Sequence, residues 1–335
     1  SLTLCFYVFS FPARLCMFAS RLPPKVRRHL WPVILVAHLD SGFHFGTWIS
    51  DCVFLANMKK ISVIGAGQIG ATVALLAGQK ELGDVYLFDV VEGVPQGKAL
   101  DLSHCMAVMG YEAKIYGYND FEHLQGSDVV IVTAGVPRKP NMTRSDLLSV
   151  NARIIGSVAE NVRKYCPEAF VICVTNPLDA MVCYFMEKSG LPPNRVCGMS
   201  GILDSGRFRH NLSRALGVRP QDVSAIVVGG HGDEMIPLTS SVTIGGLPLA
   251  DFVKQGKITQ SKIEEIIHKT AFGGGEIAEL LKTGSAFYAP AASAIEMAQA
   301  YLKDSKATLV CSAYLSGEYL IDKLFIGVPV IIGKN

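Results

Sequence analysis

The sequence predicts an α/β fold in which a parallel sheet covered by helices leads into an α+β half built on antiparallel strands. Three observations carry this expectation. From Lys60 onward, short apolar runs alternate with stretches of helical spacing, the grammar of consecutive β-α-β units. The runs ISVIG, DVVIVTAG and AFVICVTNP are apolar almost throughout and rich in valine and isoleucine, as strands buried on both faces must be. Near Gly198 the alternation gives way to glycine-punctuated runs, and the chain closes on two apolar stretches that read as antiparallel strands.

The elements follow in order. ISVIG is a strand ending at Gly65, and QIGATVALLAGQK has apolar residues at helical spacing. DVYLFD is a second strand. VPQGKALDLSHCMAV reads as a helix with Pro95 near its start, where a missing N–H costs nothing. DVVIVTAG is a strand ending at Gly135, and RSDLLSVNARIIGSVAENVRKYC is a long amphipathic helix that stops before Pro167. AFVICVTNP is a strand closed by Asn176-Pro177. Beyond Gly198, ILDSGRFRHNLSRALG is a helix of mixed charge, while VSAIVVGGHGDEM and SVTIGGLPL are strand-like runs with glycine turns. Helices follow around SKIEEIIHKTAF and ASAIEMAQAYLKD, and TLVCSAYLSGEY and FIGVPVIIGK supply the antiparallel strands. A domain boundary is placed near Gly198, giving a first domain over 58–198 and a second over 199–335.

Composition narrows the function classes. With 335 residues, 50% hydrophobic and 18% charged, the chain has ample material for a core and does not read as disordered. A formal charge of +2 supplies no global field toward nucleic acid or an anionic membrane. The nine cysteines form no CxxC pair and no Cys/His spacing of zinc type, so no metal is expected. Scattered through apolar runs, they read as buried thiols of a reducing, cytoplasmic setting. Residues 1–57 differ from the rest. They hold no acid before Asp40 and carry Arg14, Arg21, Lys25, Arg27 and Arg28 among apolar residues, the composition of an organellar transit segment. The uncharged apolar run over 2–13 is shorter than the about 20 residues a bilayer span needs. Met58, followed at once by a strand, reads as a natural start. The extension therefore stays unassigned, as spurious upstream sequence or as a targeting segment that would imply a mitochondrial location.

Gly65-Ala66-Gly67-Gln68-Ile69-Gly70 is G-x-G-x-x-G. In a chain with 32 glycines the pattern alone is weak, but here it joins a strand to a helix opening near Gln68, as a dinucleotide fingerprint requires. Gly65 suits the tight turn, Gly67 lets backbone approach a pyrophosphate, and Gly70 lets helix and sheet pack closely. The helix N-terminus offers free N–H groups to the phosphates. Asp89 ends the next strand, 19 residues after Gly70. A carboxylate there accepts hydrogen bonds from ribose hydroxyls and repels a 2′-phosphate, so NAD is expected over NADP, on a Rossmann-type domain.

Among the eight histidines, His231 stands apart. It lies in VVGGHGDEM, after a strand-like run, between glycines that leave room around the ring and suit a core histidine poorly. Asp204 and Arg207, three apart in LDSGRFR, share one helix face. They read either as a surface ion pair or as a carboxylate orienting His231 with a guanidinium in the same cleft. The stretch GVPRKPNMTRSDLL at 135–148 carries Arg138 and Arg144. No periodic pattern holds over 135–141, so Arg138 belongs to a loop, either solvated or closing over a small anion.

GAGQIG, Asp89, GVPRKPNMTRSDLL, VTNPLD at 174–179, LDSGRFR and GGHGDEM occur in that order. Together they make 58–335 resemble the lactate/malate dehydrogenase family, and within it the lactate-dehydrogenase-like malate dehydrogenases of apicomplexan type. The resemblance implies that His231 exchanges a proton with the substrate oxygen while Asp204 holds its tautomer and stabilises the imidazolium. It implies that Arg207 clamps the substrate's C1 carboxylate in a bidentate pair. Arg144 would polarise the carbonyl when the loop closes, and Arg138 stands at the position that reads the substrate's far end. Asn176 would touch the substrate, Val174 and Asn176 the nicotinamide, and Asn151 the nicotinamide ribose. Thr133, Ala134 and Gly135 would join Gly65, Gly67, Gln68, Ile69, Gly70 and Asp89 around NAD.

The chemistry asks for these residue types. Hydride delivery to a ketone carbon builds charge on oxygen, and a proton donor with a positive field offsets it. An arginine facing the second carboxylate of oxaloacetate is paired, whereas closed over the methyl of pyruvate it is stranded, at a cost of roughly 2–5 kcal/mol. The expectation is an NAD-dependent malate dehydrogenase acting on a small dicarboxylate, oxaloacetate or L-malate. Pro290, in the pocket segment GSAFYAPAASA, resembles the variant of parasite lactate dehydrogenases and keeps lactate dehydrogenase as the alternative. A non-catalytic NAD-binding scaffold is a third reading, opposed by the joint presence of His231, Asp204, Arg207, Arg144 and Asn176. The resemblance further implies a homo-oligomer, tetramer or dimer, with no nucleic-acid or membrane partner. It also leads to the expectation of a long helix after the final strand, where this sequence stops at Asn335.

Overall fold

The computed structural model describes residues 59–137 and 143–334. The expectations for 1–57 and for the loop residue Arg138 fall outside the described residues, as does the side chain of Arg144.

The first half alternates as the sequence predicts. β1 (Lys60–Ile64), α1 (Gln68–Gln79), β2 (Asp84–Phe88), α2 (Val94–Met109), β3 (Ile115–Tyr118), β4 (Val129–Val132), α3 (Arg144–Tyr165), β5 (Phe170–Cys173), α4 (Leu178–Ser189) and β6 (Val196–Gly198) follow one another. The six strands pair in parallel in the order β3-β2-β1-β4-β5-β6. The all-apolar runs have the reason expected of them. On β4, Val129 and Ile131 point into one core with Val73, Ala74 and Ala77 of α1. Val130 and Val132 point into the opposite core with Ile155, Val158 and Val162 of α3 and Phe185 of α4. The order turns back between β1 and β4, and the crevice at the carboxyl ends of such strands is where open α/β sheets take ligands.

The second half comprises α5 (Gly201–Leu216), β7 (Val223–Ser224), β8 (Val227–Gly229), β9 (Met235–Pro237), β10 (Thr243–Ile244), β11 (Leu247–Pro248), α6 (Leu249–Lys254), α7 (Gln260–Leu281), α8 (Tyr288–Leu302), β12 (Ala307–Ser316) and β13 (Asp322–Ile332). The large sheet continues past β6. β12, β13, β8 and β9 extend it antiparallel to ten strands, with Ser312 opposite Gly198 and Gly327 opposite Gly229. β7, β10 and β11 form a separate antiparallel sheet. α8 packs back on α1, so a helix late in the sequence covers the first half's strands. The small residues Ala291, Ala294 and Ala298, all fully buried, allow that close approach.

β3, α4, β6 and α6 are elements the sequence reading did not include, and α7 is longer than expected. β3 is only four residues, IYGY, with Gly117 lying where a Cβ would stand 2.2 Å from the carbonyl oxygen of Pro95. α4 begins directly after the strand-like VTNP with no side-chain cap, so no polar signal marks its start. α7 runs on through 273–275, a triple glycine that intrinsic propensity would end the helix at, to Leu281. A capping box fixes the start of α3: Thr143 Oγ1 accepts from the Asp146 N–H at 3.0 Å, and Asp146 Oδ2 accepts from the Thr143 N–H at 3.0 Å. No helix among the described residues is long and apolar enough to cross a membrane.

The contact of α1 with α8 supplies a stability test. Ala74 is fully buried in their shared core, so Ala74→Leu should lower the free energy of urea unfolding by about 1–3 kcal/mol. The rim ion pair Lys80–Glu296, 2.7 Å apart, is half-exposed, and Lys80→Ala should cost less than about 1 kcal/mol. Equal losses would show that charge, not packing, holds the helices together.

Candidate active site

The crevice between β1 and β4 is built from backbone. After Ile64 the chain turns at Gly65 with φ +106°, and a Cβ there would lie 2.7 Å from the Ala134 nitrogen. A Cβ on Gly70 would lie 1.8 Å from the Gly65 carbonyl oxygen, so only glycine lets α1 sit this close to the turn. Gly67 is the opposite case. Nothing stands within 4 Å of its Cβ position, and Gly67 and Gln68 are exposed while Ile69 turns partly inward. α1 opens with neither a side-chain cap nor an acidic residue in its first turn, which leaves its first N–H groups for a ligand.

Neighbouring side chains brace this turn. Asp89 Oδ2 accepts from the Ala66 N–H at 2.7 Å, and Oδ1 accepts from the Val91 N–H at 3.1 Å. The carboxylate is thus set beside the glycine turn, where an adenosine ribose would rest. Lys98, which the sequence did not single out, donates from Nζ to the Ala66 carbonyl at 2.6 Å. From the β4 side, Thr133 Oγ1 donates to the Gly65 carbonyl at 2.9 Å, and the Ala134 carbonyl accepts from Thr175 Oγ1 at 2.7 Å. Open space at Gly67, uncapped N–H groups and a fixed carboxylate together fit a dinucleotide.

Asn151 shows a part that spacing does not reveal. It is 1% exposed. Its Oδ1 accepts from the Val136 N–H at 2.9 Å, and its Nδ2 donates to the carbonyls of Val136 at 3.2 Å and Asn176 at 2.7 Å. The side chain expected at the nicotinamide ribose therefore ties the loop after β4, just past Gly135, to the loop after β5. Val174 is buried and continues the β4 pairing, its N–H donating to Val132 at 2.9 Å. Asn176 is exposed beyond it.

The second cluster joins α5 to the turn between β8 and β9. Asp204, in the first turn of α5, is 1% exposed. Its Oδ2 meets His231 Nδ1 at 2.9 Å, and its Oδ1 meets Arg207 Nη1 at 3.5 Å. Of the two readings the sequence left open for Asp204 and Arg207, the geometry takes the second: one buried carboxylate serves both the ring and the guanidinium. Burial lowers the Arg207 pKa from its ordinary value, and Asp204 opposes the drop. Gly274 of α7 lies close to this arginine, since a Cβ there would stand 3.3 Å from Nη2. A recess of about 850 Å³ between α5, α7 and α8 reaches Arg207 and Gly273 but is lined by neither His231 nor Asp204. No group of His, Cys, Asp and Glu among the described residues is arranged to hold a metal. The backbone N–H of His231 donates to Asp179 Oδ2 at 2.9 Å, a contact carried inside the VTNPLD motif but not legible from it.

The chain is similar to several known proteins. Malate dehydrogenase of Methylobacterium radiotolerans is 56% identical over 277 residues, covering 83% of this chain and 87% of the relative. The crystal structure of Cryptosporidium parvum malate dehydrogenase superposes with a TM-score of 0.81 at 79% identity, covering 83% of this chain and 88% of that one. The Cryptosporidium parvum lactate dehydrogenase complexed with lactic acid and nicotinamide adenine dinucleotide superposes with a TM-score of 0.80 at 56% identity, covering 83% and 87%. Residues 59–198 match the lactate/malate dehydrogenase NAD-binding domain and 202–335 its alpha/beta C-terminal domain, and the chain belongs to the lactate/malate dehydrogenase family.

Proposed function

We propose that this protein is an NAD-dependent malate dehydrogenase that interconverts oxaloacetate and L-malate. The observation that carries the reading is the Asp204 carboxylate shared between His231 Nδ1 and Arg207 Nη1. With Nδ1 turned to Asp204, Nε2 is the ring nitrogen left for a substrate oxygen. In oxaloacetate reduction the bound reduced nicotinamide supplies a hydride to the ketone carbon. His231 gives its Nε2 proton to the ketone oxygen, and Asp204 stabilises the imidazolium beforehand. In malate oxidation the neutral ring takes the hydroxyl proton back. Arg207, one helical turn from Asp204, holds the substrate's C1 carboxylate. Arg144, at the start of α3, adds positive field to the oxygen.

Residues 59–198 hold the cofactor in this reading, and Asp89 selects NAD. Residues 199–335 supply the proton donor and the carboxylate clamp. Arg138 pairs with the second carboxylate of the substrate. The choice of malate over lactate is supported by Arg138 and by 79% identity to a malate dehydrogenase structure against 56% to a lactate dehydrogenase from the same organism. The family resemblance supports a homo-oligomer, a dimer or tetramer, and the cysteine pattern supports a cytoplasmic enzyme.

NADH absorbance followed at equal concentrations of the two keto acids should give a higher kcat/KM for oxaloacetate than for pyruvate; the reverse order assigns the chain to lactate. Arg138→Gln should reduce oxaloacetate turnover at least about 30-fold more than pyruvate turnover, and equal losses would remove Arg138 from substrate choice. His231→Asn should lower kcat by roughly 10²–10⁴-fold with NADH affinity retained. Gly67→Ala should fold with an unchanged melting temperature, because nothing lies within 4 Å of its Cβ, yet weaken the NADH Kd about tenfold or more. Unchanged titration of that variant would place the pyrophosphate elsewhere.

A further inference from the structure

We propose that Asp179 is a positioning residue for His231, holding its backbone as Asp204 holds its ring, and that Ser312 locks Asp179 in place. The inference rests on His231 as the proton donor.

His231 sits on a turn that cannot fix it alone. Glycine flanks it on both sides, Gly232 has φ +117°, and glycine restrains a backbone least. β8 stops at Gly229 and β9 starts at Met235, so no ladder bond reaches the histidine. Two carboxylates from two helices supply the restraint. Asp204 takes Nδ1 at 2.9 Å, and Asp179, in the first turn of α4, takes the main-chain N–H at 2.9 Å. The second oxygen of Asp179 is also engaged: Ser312 Oγ donates to Oδ1 at 2.6 Å. Ser312 is fully buried on β12, directly opposite Gly198 at the junction of the two halves of the sheet. With both oxygens held, the carboxylate has no freedom to rotate away. An ionised acceptor binds an N–H about twice as strongly as a neutral one, and the start of α4 favours negative charge there. The turn is tight against Glu234, since a Cβ on Gly230 would stand 3.1 Å from its Oε2 and 3.2 Å from its Cβ.

The arrangement couples the two halves. α4 follows the Asn176 loop that the proposed function puts at the nicotinamide, so in that reading Asp179 sets His231 relative to the element that meets the cofactor. A displacement of about 1 Å at such a site costs on the order of 10²-fold in rate.

The test uses the full chain. Asp179→Asn should lower kcat for oxaloacetate about 10- to 100-fold while KM and the NADH Kd stay within about threefold of wild type. Ser312→Ala keeps the carboxylate but frees it, and should lower kcat about three- to tenfold in the same pattern. A readout independent of turnover is the ring resonance of His231 in ¹³C-histidine-labelled protein, assigned by its loss in His231→Asn. It should move or broaden in both variants. A lowered melting temperature with kcat and the resonance unchanged overturns the inference and leaves Asp179 a purely structural residue. A wild-type chain without turnover sinks the malate dehydrogenase reading, and the resonance still decides whether Asp179 positions His231.

Discussion

A buried carboxylate is tolerated only if its charge is answered, and Asp204 organises this protein around that requirement. At 1% exposure it is shielded from bulk solvent. It is answered by Arg207 from the next turn of its own helix and by His231 from the turn between β8 and β9. Removing either partner leaves the carboxylate with one contact in place of two. The pairing therefore restrains α5, the β8–β9 turn and, through the close approach of Gly274 to Arg207, α7.

The same economy recurs elsewhere in the framework. Asn151 spends its amide on two backbone loops, and Asp179 spends both oxygens on two elements. α8, encoded late, covers strands encoded early. The ten-stranded sheet crosses the point where the sequence changes grammar, with Ser312 set against Gly198. The elements that carry the glycine turn, Asn151 and the Asp204–His231 pair thus belong to one continuous framework, and in the proposed function a hydride transfer that tolerates little misplacement depends on that continuity.

Legibility followed the length scale of each signal. The strands β1, β4 and β5 were readable because burial on both faces forces runs of apolar residues. β3 was not, because four residues holding a glycine and two tyrosines carry no period. α4 was missed because its start has no side-chain cap, and α7 was cut short because a triple glycine reads as a break. In the site, the fingerprint glycines were legible because their roles are local: one backbone turn decides Gly65 and Gly70. Asn151 was assigned to the cofactor from resemblance, while its amide proves to be engaged by the chain itself.

By itself, the sequence determined the alternating architecture, the glycine turn, the carboxylate at Asp89 and the residue types available for acid–base chemistry. Each of these is set within one or two consecutive elements, where periodicity and spacing act. The tertiary structure decided which carboxylate serves which donor. Asp204 and His231 are 27 residues apart and Asp179 and Ser312 are 133, separations over which no periodicity carries information. Only sheet register and the demand that buried polar groups be paired bring them together.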